Sequence, residues 1–244
     1  KIILFSTPFD ETAVDLLEDL NAPAYKIASF EATDLQLIKY VASTKKPLII
    51  STGLANFQEI AELVETAKES GCNQLILLHC VSSYPAPIKD TNLRTMQDIS
   101  NKFNVPVGLS DHTIGNTTSL AAIALGACMI EKHFILSKSI KSADAEFSLT
   151  PHDLESLCNE ANNVYNALGN INYSLKNSEE ANIQFRRSIY FVNSIKKNEV
   201  INKTHIRRIR PGFGLEPKFY NEIIGRKAVK DIEAGTAVNW DLIK

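Results

Sequence analysis

The sequence predicts an α/β fold with a parallel sheet, curled as a TIM (β/α)8 barrel and followed by a small second domain. Two observations carry this: short apolar runs alternate with amphipathic segments, and each run ends in polar or reactive residues. The runs are residues 2–5, 25–28, 47–50, 75–78, 105–109 and 128–130. Continuous apolar stretches of this kind suit parallel strands buried on both faces. Between them, residues 58–70 carry Ile60, Leu63, Val64 and Ala67 at helical spacing behind Asn56 as N-cap. Residues 151–168 begin at Thr150 as N-cap with Pro151 in the first turn, repeat Leu154, Leu157, Ala161, Val164 and Leu168, and stop at Gly169.

The barrel is preferred to an open doubly wound sheet because reactive residues follow every run. They are Ser6 and Thr7, Lys26 and Ser29, Ser51 and Thr52, His79 and Cys80, Ser110 to His112, and Glu131 to His133. A barrel draws its chemistry from the C-terminal ends of several strands, whereas an open sheet concentrates it at one switch point. A full barrel takes about 250 residues and eight strands. Six strand-helix units within residues 1–170 therefore imply a partial barrel whose first two strands are missing from this chain, which opens on Lys1. Residues 171–187 show no apolar period and read as a linker. In residues 188–244, segments 188–192, 212–214, 225–228 and 235–238 suggest short strands and tight turns. A domain that small is expected to dock on the barrel or on a partner subunit.

Composition narrows the function. The 244 residues are 44% hydrophobic and 22% charged, with a net charge of −2, so no basic field gathers nucleic acid or anionic lipid. No apolar run approaches the roughly 20 residues of a membrane span, and residues 1–10 lack the form of a signal peptide. The chain reads as cytoplasmic. Cys72, Cys80, Cys128 and Cys158 have no C-x-x-C spacing and are expected as reduced thiols.

His112 and His133 follow neighbouring strands on one predicted face. Two neutral imidazoles there suit a divalent cation that keeps positions for substrate and water; the alternative is two satisfied polar side chains. Lys26, Ser29, Ser51 and Thr52 offer a point charge beside short donors, which suits a phosphate, or else form an ordinary barrel rim. Arg210 precedes the sharp turn Pro211-Gly212 in a basic run and is either a ligand contact or solvated.

Taken in order and spacing, the motifs STPF, YKIAS, STG, LLHC followed by YPAP, GLSDHTIG, EKHF and RPGFGLEPKFY resemble the sialic acid synthase family along essentially the whole chain. The string RPGFGLEPKFYNEIIGRKA is most similar to the pseudaminic acid synthase branch, with the N-acetylneuraminate and legionaminate branches beside it. The resemblance implies a TIM barrel joined to an antifreeze-like SAF domain over residues 188–244. It implies condensation of phosphoenolpyruvate with an amino sugar, 2,4-diacetamido-2,4,6-trideoxy-L-altrose, to give pseudaminic acid and phosphate. By position it implies His112 and His133 as ligands of a divalent metal, usually Mn2+, and Lys26, Ser29 and Ser51 as contacts of phosphoenolpyruvate. Thr7, Tyr84, Ser110 and Asp144 fall where the family lines its sugar and pyruvyl sites. Arg210 matches an arginine that one subunit of a domain-swapped homodimer supplies to the other. A further acidic residue and a phosphate-binding lysine belong to the family's first two strands, so the 244 residues alone are not expected to be active. A metal-dependent aldolase or hydrolase and a non-catalytic carbohydrate-binding or surface-assembly protein are the competing classes.

Overall fold

The computed structural model describes residues 2–244 and falls into two compact units, one reaching Asn170 and one running from Ile171 to Lys244. In the first, five parallel strands, β1 (Tyr25–Ile27), β2 (Leu48–Ser51), β3 (Leu75–Cys80), β4 (Val107–Asp111) and β5 (Ile130–Lys132), lie side by side in sequence order. Each is joined to the next by a helix: α2 (Leu35–Ser43), α3 (Phe57–Glu69), α4 (Arg94–Phe103) and α5 (Thr117–Ala124). Helices α1 (Glu11–Asp19) and α6 (Pro151–Leu168) flank the series. This parallel, helix-covered sheet fits a TIM-like barrel, with five strands in ladders among the described residues. Tyr25, Ile27, Leu48, Ile50 and Leu77 are fully buried and pack with Leu37, Ile38 and Leu63 of the covering helices. The cap reading holds locally: Asn56 and Glu59 form a reciprocal capping box on α3, and Thr150 and Asp153 form one on α6.

The expected strand at 2–5 is not formed. One parallel bridge joins Ser6 to Tyr25, and the Lys26 amide donates to the Ser6 carbonyl at 3.2 Å. Ile2, Ile3 and Leu4 stay 92%, 76% and 84% exposed. Without apolar cover these side chains gain nothing from entering the ladder. The last strand lies two residues later than the apolar run at 128–130, because the ladder continues through Glu131 and Lys132. Polarity hides a strand end whose side chains face a site.

The second unit has its own core, built from Ile189, Phe191, Ile195, Ile201, Ile206, Ile223 and Val238. Strand β6 (Ser188–Phe191) pairs antiparallel with β7 (Ile206–Ile209), and isolated bridges tie residues 195, 200 and 228 to 232, 227 and 243. Gly225 and Gly235 turn the chain at φ 91° and 89°, where a Cβ would be strained. Residues Asn177–Phe185, expected as irregular linker, form a 3-10 segment whose start is capped by Glu179. No helix among the described residues is long and apolar enough to cross a membrane.

Candidate active site

Strand alternation sorts the C-terminal ends of β4 and β5 into two faces. Ser110, His112, Glu131 and His133 line a cavity of about 200 Å³, together with Thr7, Lys26, Ala28, Ser29, Ser51 and Tyr84. Asp111 and Lys132, directly paired in the ladder, face the other way. There their charges meet at 3.2 Å with side chains 1% and 4% exposed, and Ser119 of α5 donates to Asp111 at 2.6 Å. Seven of the residues expected from the first unit by pattern or resemblance, Thr7, Lys26, Ser29, Ser51, Tyr84, Ser110 and His112, thus share one cavity with an eighth, His133. A larger cavity, about 580 Å³, opens among Ile3, Phe5, Pro47, Leu75, Pro106 and Met129. Its lining holds no acid, base or cation.

The two imidazole rings stand 5.3 Å apart between centroids. Nδ1 of His112 lies 3.0 Å from the Val81 carbonyl, and Nδ1 of His133 lies 3.3 Å from Oδ2 of Asp144. These partners assign the proton to Nδ1 in each neutral ring and leave Nε2 as the lone-pair nitrogen. Burial pushes the His133 pKa down, with Asp144 opposing. For His112 burial acts the same way, but the Cys80 thiol and the Val81 carbonyl outweigh it and the pKa is raised. No cluster of three or more His, Cys, Asp or Glu donors occurs among the described residues. The donor set is two oriented imidazoles, which fits a divalent cation with positions left for water and substrate.

Lys26, which lines the same cavity, is 6% exposed. Its Nζ donates to the Ile27 carbonyl at 3.0 Å and lies 3.6 Å from Glu131. Burial lowers its pKa and Glu131 opposes the shift. Ser51 Oγ is buried with no protein partner, an orphaned hydroxyl on the cavity wall. Ser29 Oγ accepts from the Gly53 amide at 3.1 Å. A Cβ at Gly53 would lie 2.7 Å from that oxygen and 2.2 Å from Ser82 Oγ, so only glycine admits this approach. Together these form a site suited to an anion.

Two contributors were given no role from the sequence, although Glu131 stands among its strand-end residues. Glu131 accepts from Ser110 Oγ at 2.6 Å while facing Lys26, linking the two. Its position two residues before His133 on a strand was the available signal. Phe147, 2% exposed, packs against His133 at 4.9 Å, Tyr84 at 5.8 Å and His112 at 6.1 Å between ring centroids. It comes from a loop, and no period marked it. Tyr84 lies on His112 at 4.4 Å. Asp144 touches His133 and is not among the residues lining the cavity. Arg210 lies exposed in the second unit, beside a turn pinned by Ser188, whose hydroxyl donates to the Pro211 carbonyl and accepts from the Gly214 amide.

Residues 1–173 match the model of the NeuB family, and residues 186–244 match that of the SAF domain. The pseudaminic acid synthase of Campylobacter jejuni is 43% identical over 237 residues, covering 97% of this chain and 69% of that protein. The N,N'-diacetyllegionaminic acid synthase of the same species is 40% identical over 234 residues, covering 95% and 70%. Among solved structures, N-acetylneuraminic acid synthetase from Leptospira borgpetersenii, in complex with citrate, superposes with a TM-score of 0.70 at 34% identity, over 76% of this chain and 65% of that one.

Proposed function

From the fact that the chain belongs to the NeuB family, we propose that it is a nonulosonic acid synthase. In this reading it joins phosphoenolpyruvate to 2,4-diacetamido-2,4,6-trideoxy-L-altrose, giving pseudaminic acid and phosphate. The observation that carries the proposal is a single cavity lined by two oriented imidazoles, a buried lysine and an orphaned hydroxyl. That pairing suits a carbonyl acceptor beside an enol phosphate.

Lys26, Ser29 and Ser51 bind the phosphate and carboxylate of phosphoenolpyruvate, and their fixed positions stabilise the negative charge that grows as phosphate departs. Carbon 3 attacks the sugar aldehyde, water adds at carbon 2, and the carbon-oxygen bond to phosphate then breaks. His112 and His133 hold a divalent cation, Mn2+ in this proposal, which when bound supplies Lewis-acid polarisation of the aldehyde oxygen. Glu131 keeps Lys26 and Ser110 in place, and Tyr84 with Phe147 excludes water from one side of the pair. Thr7, Ser110 and Asp144 are assigned to the sugar and pyruvyl end.

His112→Ala is expected to remain folded by circular dichroism and to lose turnover by more than about a hundredfold, as measured by phosphate release in the full-length protein. Normal activity would remove the cation assignment. The similarity to the legionaminic acid synthase favours a second substrate, so product masses should be compared for each candidate amino sugar. Phosphate release without sugar, or sugar binding without phosphate release, would instead support the competing classes. A homodimer with Arg210 supplied in trans is part of the proposal. Inactive Arg210→Ala and His112→Ala proteins should then regain activity when mixed and allowed to exchange subunits; no recovery counts against it.

A further inference from the structure

Between β5 and α6 the chain makes a loop that leaves the sheet at His133 and returns at Leu149, whose amide donates to the His133 carbonyl at 2.8 Å. Phe134 and Leu149 form a parallel bridge at its base. Ser137, Ser139, Lys141 and Ser142 leave its outer part polar and exposed, with little apolar burial to fix its shape. What fixes it is Lys138. The Nζ donates to three main-chain carbonyls, those of Ala145 at 2.7 Å, Glu146 at 2.9 Å and Ser148 at 2.5 Å. An ammonium has three protons, and all three are committed.

The turn so gripped is also closed on itself, because the amide and hydroxyl of Ser148 both donate to the Asp144 carbonyl, at 3.1 and 2.7 Å. It carries two side chains into the site described above. Asp144 meets Nδ1 of His133, and Phe147 packs against both histidine rings and Tyr84. Lys138 itself does not line the catalytic cavity and forms no salt bridge among the described residues. Its charge is spent on carbonyls alone. Charge-assisted bonds of this kind are the strong ones, and three converging from one side chain hold the turn alongside the buried Phe147.

We propose that Lys138 is a positioning residue: by clamping the carbonyls of Ala145, Glu146 and Ser148 it seats Asp144 against Nδ1 of His133 and Phe147 against both imidazoles, and so sets the wall that receives the sugar. Lys138 acts through Asp144 and Phe147 rather than on substrate. The inference deepens the synthase reading, but its first test does not depend on that reading.

The test compares Lys138→Met, which keeps the apolar stem, with Lys138→Arg, which keeps donors, in the full-length protein. Without substrate, Lys138→Met is expected to speed amide hydrogen exchange at residues 145–148 about tenfold or more, as loss of several charge-assisted bonds implies. Long-range proton-nitrogen correlation should show His133 losing its single Nδ1–H tautomer. Lys138→Arg should restore both. Should Lys138→Met fail to fold, Ser148→Ala loosens the same turn from another atom and is read the same way. Unchanged exchange and an unchanged tautomer overturn the proposal.

With substrates, KM for the amino sugar should rise about tenfold in Lys138→Met while KM for phosphoenolpyruvate holds within about twofold, and Lys138→Met should raise KM for the sugar less in an Asp144→Asn background than in the unmodified protein. A fall in kcat with neither KM moved would mean that Lys138 merely stabilises the fold, and would also overturn the proposal. If exchange and tautomer respond but even the unmodified protein turns over no phosphoenolpyruvate with any amino sugar, the synthase reading fails and the positioning role stands.

Discussion

Glu131 sits between a buried ammonium and a serine hydroxyl, so its charge holds two groups that belong to different strands. Glu131→Gln keeps the shape and removes that charge, and hydrogen bonds to charged groups are worth about 1.5–3 kcal/mol. We therefore expect kcat/KM, read by phosphate release, to drop at least about tenfold with the fold intact. An unaltered kcat/KM would show that Lys26 and Ser110 hold their places unaided. At this scale the histidines were legible because residues 110, 112, 131 and 133 keep one parity along their strands. Glu131 was visible only as a strand-end residue, because its role depends on Ser110 and Lys26, which other strands bring to it. Phe147 escaped because a loop delivers it.

Helix α1 is anchored by Glu18, whose carboxylate accepts from Lys46 Nζ at 2.6 Å and from the Tyr25 hydroxyl at 2.5 Å. Those bonds, Lys46 first, hold its pKa below the ordinary glutamate value of 4.5. A depressed folded value means that the unfolded chain binds the extra proton first as pH falls. The contribution of Glu18 is complete above pH 4.5 and is lost as pH drops through its lowered folded value. Because the pair is substantially solvated, it amounts to about 1 kcal/mol or less. Urea midpoints at pH 7 and at pH 3 should thus differ less in Glu18→Gln than in the unmodified protein; equal differences would rule Glu18 out as an acid-sensitive anchor.

The helices at Phe57–Glu69 and Pro151–Leu168 were readable to within a residue, since caps and apolar period are local signals. Residues 2–5 misled because apolar character shows a wish for burial and not the presence of a neighbour. Strand β7 was overlooked because Arg207 and Arg208 interrupt its apolar pattern, and both are exposed.

Across the whole molecule, two separate apolar cores underlie the two units. The second is complete within residues 189–243, which predicts that residues 171–244 produced alone unfold in a single cooperative urea transition. A featureless drift would show that this unit borrows stability from elsewhere. The division near residue 170 was visible as a change of pattern in the sequence, whereas the number of laddered strands was not. Strand pairing is a non-local property that no window along the chain contains.

The buried partnership of Asp111 and Lys132 bears on how the sheet is assembled. If the last strand slid by one position against its neighbour, Asp111 would lose its buried cationic partner, and breaking a buried pair in this way costs about 3–5 kcal/mol. The same slip of the last strand would turn His133 away from the cavity it shares with His112. Misaligned assemblies are thereby penalised, so the pair favours the one alignment in which the reactive groups converge.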